Sequence, residues 1–232
     1  MRPRILPKAM LLFLLGTNTF AQPSKWASEE SQLPKDPTIQ YGQLKNGFRY
    51  AWTDRGEKQN HCSMRLVVHV GSLHETDDER GIAHFLEHLA FDGSKNFPEG
   101  TLIGWFQEMG MQFGAHLNAH TGFDETVYKI EMPRCSESRV AQALTIFRDF
   151  ADGLLLSERS IEKERGIIDM EEQDRDSIDL RVTKKVLQNF YQGTTYSDRM
   201  PIGDSDTRKS FDHEKIYSFY KKWYRPDNMT LV

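Results

Sequence analysis

Three features are scarce in this 232-residue sequence, and each scarcity excludes a class of protein. Two cysteines are too few for a disulfide-built scaffold or a cysteine-rich zinc module. A net charge of −4 gives no polycationic surface, so no nucleic-acid partner is expected. The apolar run at residues 9–16 is far shorter than the ~20 residues that span a bilayer, so no membrane span is predicted. The hydrophobic fraction of 38% and the charged fraction of 28% are those of an ordinary globular protein.

The first 21 residues have the features of a targeting segment. Arg2, Arg4 and Lys8 give a basic start, the apolar run follows, and small residues around Ala21 suit a signal peptidase. We therefore predict a signal peptide over residues 1–21 and export to the periplasm or out of the cell. An unstructured tail is the alternative interpretation.

Export bears on how the two cysteines are interpreted. Cys62 begins one strand-like run and Cys135 ends another, so antiparallel neighbouring strands would bring the two thiols together. An oxidising compartment permits a disulfide. Connectivity cannot be deduced from sequence alone, so a bridge and two separate buried thiols both remain open.

The rest of the chain divides into a polar leader and one folded module. Residues 22–40 are polar and contain proline, which is typical of a linker. From residue 41 to residue 232, strand-like patterns in the first half and a run of helical patterns in the second predict an α+β fold. We expect an antiparallel-rich sheet packed against helices. Residues 229–232 resemble the first half of a buried strand, so the module is expected to be truncated there.

Apolar residues at helical spacing and candidate capping residues define the helices of the second half. Ser136 and Ser157 are each followed by a helical pattern and are predicted N-caps. Val182, Val186 and Phe190 recur at four-residue intervals, which predicts an amphipathic helix.

The pattern that carries chemistry lies in the first predicted helix. His84 and His88 are four residues apart, so on a helix both rings project from one face and can bind a single Zn²⁺. Glu87 shares that side and is placed to hold a water rather than the ion. This order, H-x-x-E-H, is the reverse of the commoner H-E-x-x-H. Two histidines buried in the core beside a surface glutamate is the alternative interpretation.

A catalytic zinc site needs a third protein ligand, and an acidic helix offers one. Glu164 and Glu171 are seven residues apart and share a helix face, so one can bind zinc while the other supports the ligand set. Glu172 is the neighbour that could be confused with Glu171. A solvated acidic face is the alternative.

Three sequence blocks, in this order, resemble the pitrilysin family of inverzincin zinc metallopeptidases, which includes insulin-degrading enzyme and the mitochondrial processing peptidase. The blocks are HFLEH at 84–88, NAHTGFDETVY at 118–128, and ERGII at 164–168 with Glu171 after it. The resemblance covers residues 41–232 and is closest to bacterial exported zinc-protease-like members. It implies that this chain is the N-terminal catalytic module of a pitrilysin-like metallopeptidase.

The resemblance also implies the roles of the site residues. His84, His88 and Glu171 would bind zinc, Glu87 would be the general base, and Glu164 would be a supporting carboxylate at the catalytic site. These roles imply a zinc-dependent endopeptidase that cleaves unfolded or small peptides with a metal-activated water.

A further implied feature is a substrate-lining edge strand over residues 114–121. An extended peptide added there would be held by main-chain hydrogen bonds, with Asn118 and Ala119 as the matched substrate-binding residues. His116 and His120 depart from the usual pattern of this block, and polar filling is a commoner role for such histidines than metal binding.

Two function hypotheses from different classes follow. The first is the zinc endopeptidase, whose family members consist of two homologous halves, so a second half or partner chain is expected. The second is a non-catalytic assembly subunit that retains the fold. The presence of the full ligand set and of the general base favours the enzyme.

Overall fold

The structure is a computed structural model that describes residues 34–56 and 60–232, together with Trp26, Glu29, Ser31 and Gln32. The predicted signal peptide lies outside the described residues. Within the described part of the chain, the search for a helix with the length and hydropathy of a membrane span finds none.

One six-stranded mixed sheet forms the centre of the molecule, in the order β1-β2-β6-β3-β5-β4. All neighbouring strands are antiparallel except β2 and β6, which are parallel, so the predicted antiparallel-rich sheet is confirmed. The final residues do form a strand in the middle of this sheet. The strands are β1 Ile39–Gln43, β2 Arg49–Thr53, β3 Cys62–Val68, β4 Leu117–Thr121, β5 Thr126–Met132 and β6 Met229–Leu231.

Seven α-helices accompany the sheet in the described residues, which confirms the α+β class. Ser136 and Ser157 cap α3 and α4 as predicted, each accepting a hydrogen bond from a backbone amide three residues on. The helices are α1 Ile82–Asp92, α2 Thr101–Glu108, α3 Glu137–Asp152, α4 Glu158–Arg175, α5 Ile178–Phe190, α6 Ser205–Lys209 and α7 His213–Trp223.

The start of α1 is fixed by a buried carboxylate and a close backbone contact. Glu75 is 5% exposed, and its two carboxylate oxygens accept the amides of Gly81 and Ala83 at 2.9 and 3.0 Å. Gly81 has a φ of +95°, which favours glycine. The backbone of Gly203 packs so closely that a Cβ on Gly203 would lie 2.4 Å from the Cα atom of Gly81. From this anchored start, α1 buries Phe85 and most of the apolar residues that follow.

Strand β4 lies at one edge of the sheet and pairs only with β5 among the described strands. The Glu131 amide donates to the His116 carbonyl across this pair. Residues of an antiparallel pair alternate between bonding the partner strand and pointing away from it. The main-chain groups of Ala119 and Thr121 therefore point to the open edge.

A disulfide joins Cys62 and Cys135, whose Cα atoms are 5.3 Å apart. Cys62 opens β3, and Cys135 follows β5, the antiparallel neighbour of β3. Of the two alternatives that the sequence left open, the structure therefore has the disulfide. The antiparallel pairing of the two strands brings the cysteines together, as the sequence indicated.

The fold extends into the segment that was predicted as a leader. Strand β1 begins at Ile39, and Trp26 packs edge-on against Tyr41 with ring centroids 5.0 Å apart. Arg49 of the neighbouring strand lies over the same indole ring. Strand β1 and Trp26 thus extend the described fold to the N-terminal side of residue 41.

Candidate metal centre

Helix α1 presents two histidines on one face. His84 and His88 lie one turn apart, with ring centroids separated by 4.7 Å in an edge-to-face arrangement. His84 is buried and His88 is partly exposed. The apolar residues Phe85, Leu86 and Leu89 hold the helix in the core, so the two rings sit at the boundary between the core and the surface.

Helix α4 brings a carboxylate to the same point. The Oε2 atom of Glu171 lies 3.6 Å from Nε2 of His84 and 3.3 Å from Nε2 of His88. This oxygen is buried and has no hydrogen-bond partner within the described residues. Three ligand atoms about 2.1 Å from one tetrahedral ion would stand roughly 3.4 Å apart. The donor set and the unpartnered oxygen therefore fit a zinc ion held by two imidazoles and a carboxylate.

The protonation states of the histidines are set by burial and by neighbouring charge. Burial, followed by the charge of His88, lowers the pKa of His84 to about 3, so its ring is neutral at neutral pH. Burial also acts to lower the pKa of His88, but its hydrogen bond to Glu164 and the nearby carboxylates outweigh burial and raise it. Neutral imidazole is the form that binds a metal.

Glu164 contacts the second histidine and lies outside the group of candidate ligands. Its Oε2 atom lies 3.2 Å from Nδ1 of His88, which leaves Nε2 of that ring directed at Glu171. Lys163 lies 3.3 Å from the other Glu164 oxygen and also pairs with Asp92 at the end of α1. A carboxylate on the far nitrogen of a metal-binding histidine fixes the orientation and tautomer of its ring.

Glu87 is not one of the three candidate ligands. It is 8% exposed, and its Oε2 atom accepts a 2.7 Å hydrogen bond from the Thr121 hydroxyl. Burial raises the pKa of Glu87, and the Thr121 hydrogen bond opposes the rise. A carboxylate with a raised pKa beside a metal group has the property required of a general base.

The two adjacent glutamates of α4 point to different partners. Glu171 faces the histidines, and its Oε1 atom pairs with Arg175 at 2.5 Å. Glu172 pairs instead with Arg208, a fully buried arginine that also binds Asp169. The structure thus brings Glu171 to the histidine pair and Glu172 to Arg208.

The predicted substrate-binding residues lie on the edge strand. Asn118 is exposed, and its Oδ1 atom accepts the amide of Ala119 at 2.9 Å. Ala119 is partly buried on the opposite face of the strand. The one group of potential metal ligands in the described residues contains neither His116 nor His120.

Three supporting residues were not singled out from the sequence. Thr121 bonds Glu87, Lys163 bonds Glu164, and Arg175 bonds Glu171. Arg175 was accessible to sequence reasoning because it follows Glu171 by four residues on the same helix face. Thr121 was not accessible in this way, since it lies on a strand, 34 residues beyond Glu87 in the sequence.

Comparisons with known proteins define the family. The model of "Insulinase (Peptidase family M16)" matches residues 51–200. The chain belongs to this family of zinc metallopeptidases, and the resemblance to pitrilysin and insulin-degrading enzyme is confirmed.

Individual relatives agree with this assignment. The chain is 36% identical over 227 residues to "Probable zinc protease PqqL" of Haemophilus influenzae, covering 98% of this chain and 24% of that protein. It superposes on the first half of the periplasmic protease PqqL from Escherichia coli with a TM-score of 0.83 and 34% identity, over 87% of this chain and 43% of that one. Pitrilysin, at a TM-score of 0.69, 24% identity, 85% of this chain and 21% of that one, shows the fold alone. This chain thus spans about a quarter of the length of the PqqL proteins of Haemophilus influenzae and Escherichia coli.

Proposed function

We propose that this chain is the N-terminal catalytic module of an exported zinc endopeptidase that hydrolyses unfolded or small peptides. The observation that carries the proposal is the buried, unpartnered Oε2 atom of Glu171 facing the Nε2 atoms of His84 and His88. The buried Glu87 lies beside that group on α1. Such a set matches the ligands and base of a hydrolytic zinc site.

His84, His88 and Glu171 would hold the zinc, and Glu164 would keep the His88 ring oriented. When bound, zinc lowers the pKa of water from about 15.7 toward about 7 and polarises the scissile carbonyl. Glu87 takes the proton from the attacking water and delivers it to the leaving amine. Its burial supports this role, because a raised pKa makes the carboxylate a better proton acceptor near neutral pH.

The open edge of β4 provides the peptide-binding surface. An extended peptide that pairs with the outward main-chain groups of Ala119 and Thr121 becomes a seventh strand of the sheet, held with little demand on its sequence. The Asn118 carboxamide, which now bonds the Ala119 amide, contributes a polar group beside that edge. This mode of binding favours unfolded chains and short peptides, since a folded protein offers few free strands.

A second half and an exported location complete the proposal. The relatives are about four times as long as this chain, which supports a further half or partner that covers the site. Export is supported by the targeting pattern of the first 21 residues and by the periplasmic location given for the E. coli relative.

Hydrolysis of a quenched, unstructured peptide tests the function. The full-length protein that carries this chain, and the piece 22–232 alone, are assayed with and without a zinc chelator, followed by added zinc. We expect chelator-sensitive cleavage that zinc restores, and a fall of about 10²–10⁴-fold in Glu87→Gln with the metal retained. Circular dichroism supplies the control, because chelation should remove activity and leave the fold. Full cleavage by the zinc-loaded Glu87→Gln protein would falsify the assignment of the base.

A further inference from the structure

We propose that Thr121 is a positioning residue that fixes the carboxylate of Glu87 from the strand that receives the peptide. The inference rests on the proposed function and deepens it. It concerns a residue of the edge strand that donates to the base and lies on the peptide-binding edge at the same time.

The contact between the two side chains is short and shielded. The Thr121 hydroxyl donates to Oε2 of Glu87 at 2.7 Å, and Glu87 is 8% exposed. It is the one hydrogen bond to the Glu87 carboxylate among the described residues. A hydrogen bond to an ionised acceptor is stronger than one between neutral groups, and it weighs more where water is excluded.

The bond distinguishes the two oxygens of the carboxylate. With Oε2 held by Thr121, Oε1 is the oxygen left to accept the proton of the attacking water. Without the hydroxyl, no other hydrogen bond among the described residues fixes the carboxylate about its last torsion, which has little intrinsic preference. A general base must lie within hydrogen-bond reach of the proton it takes, so loss of this orientation lowers the rate of the chemical step.

Thr121 also stands where the peptide would bind. It is the last residue of β4, and its main-chain groups point to the open edge while its side chain points to α1. A peptide that pairs with this edge therefore bonds the same residue that holds the base. Thr121 thus fixes the distance between the bound peptide backbone and the general base through a single residue.

The test uses two substitutions at Thr121 and one matched control. Thr121→Val removes the hydroxyl and keeps the shape, and Thr121→Ser keeps the hydroxyl. Thr126 faces Thr121 across the β4–β5 pair and is fully buried, but its hydroxyl donates to the Val70 carbonyl at 2.9 Å. Thr126→Val therefore removes a buried threonine hydroxyl from the same pair of strands without touching Glu87.

The zinc-loaded full-length protein is assayed on the quenched peptide, and zinc affinity is measured separately by competition with a chromophoric chelator. For Thr121→Val we expect kcat to fall about 10- to 100-fold with KM and zinc affinity unchanged, since a hydrogen bond to a charged group has been lost. Thr121→Ser should keep most of the wild-type kcat. Thr126→Val should lower the melting temperature and leave kcat unchanged.

A double-mutant cycle separates positioning from a general structural role. In a Glu87→Gln background, Thr121→Val should cause no further loss, because the base it positions is already absent. Wild-type kcat in Thr121→Val, loss of zinc in that variant, an equal loss in Thr126→Val, or additive losses in the cycle would each overturn the inference. If Glu87→Gln itself cleaved at the wild-type rate, the proposed function would fail together with this inference. If Glu87→Gln were slow and Thr121→Val were not, the inference alone would fail.

Discussion

Helices α1 and α5 are both amphipathic by sequence, yet the structure treats them in opposite ways. In α1 the apolar residues Phe85 and Leu86 are fully buried between the sheet and other helices. In α5 the apolar stripe stays on the surface: Ile178, Val182, Val186 and Phe190 are 77, 55, 45 and 82% exposed. Periodicity therefore predicts that a helix forms and which face is apolar. Burial depends on a partner surface, which a helix does not encode by itself.

The difference extends to the charged residues of the two helices. In α1, the buried Glu87 bonds Thr121, and the partly exposed His88 bonds Glu164. In α5, Arg181 pairs with the exposed Asp176 and Lys184 with Glu172 across 3.8 Å, contacts of the kind that contribute little to stability. Substitutions at the site around α1 should thus have large effects, and those on α5 small ones.

The largest effect should come from the acidic helix α4, which contributes Glu171 to the candidate metal centre. Glu171→Gln removes the oxygen that faces both imidazoles, so zinc affinity should fall by more than the 10- to 100-fold typical of losing a supporting residue. Metal content by mass spectrometry after chelator competition measures this. The matched control is Glu172→Gln, which lies next in sequence but pairs with Arg208, and it should keep its zinc. Equal loss in both variants would contradict the assignment of Glu171.

A core truncation in α1 should have the next largest effect. Leu86 is fully buried, so Leu86→Ala leaves a cavity and should lower the free energy of unfolding by about 2–5 kcal/mol. Urea denaturation followed by circular dichroism gives this value. A cost below about 1 kcal/mol would mean that α1 is less tightly packed than described.

The start of α1 should make stability depend on pH. Burial raises the pKa of Glu75 from 4.5 to about 7, although two backbone amides bond its carboxylate. Because the folded pKa lies above the unfolded one, this contribution is full below pH 4.5 and is lost as pH rises through about 7. Its size is on the order of 3 kcal/mol.

The variant Glu75→Gln isolates that contribution, since the other titrating groups are common to both proteins. The wild-type unfolding free energy should fall more steeply than that of the variant between pH 4.5 and 7. Parallel profiles over this range would show that Glu75 has an ordinary pKa. By contrast, α5 starts at Ser177, whose neutral hydroxyl accepts the Leu180 amide and adds no such dependence.

The smallest effect is expected on the exposed stripe itself. Ile178→Ser and Val182→Ser replace exposed apolar side chains, so each should change the unfolding free energy by less than about 0.5 kcal/mol. Thermal and urea denaturation of both variants measure this. A cost close to that of Leu86→Ala would show that the stripe is covered in solution, and the contrast between the helices would then disappear.

Much of the fold was accessible from local signals in the sequence. The caps Ser136 and Ser157 depend on neighbouring residues, and the structure places both as predicted. The fold class follows from the order of these elements. Strand β1 was missed because its residues alternate weakly, and an edge strand is defined by the neighbour it pairs with.

The candidate site divides in the same way. The i, i+4 spacing of His84 and His88 requires a shared helix face, and the structure places both rings there. Glu171 and Glu172 point in different directions because successive residues of a helix are about 100° apart. The partner of Glu172 could not be predicted, because Arg208 is 36 residues further on and is brought to α4 by the packing of α6. The roles proposed for these residues stay predictions that the experiments above address.

The disulfide changes how the chain would respond to a cut in its backbone. The bond between Cys62 and Cys135 closes a covalent ring of the chain, with its ends 73 residues apart, that contains the histidine helix α1 and the edge strand β4. A single backbone cut inside this ring leaves both new ends attached. The nicked protein keeps its mass on a non-reducing gel and separates only when a thiol is added. In an oxidising compartment, the disulfide keeps the histidines and the edge strand β4 covalently connected after such a cut.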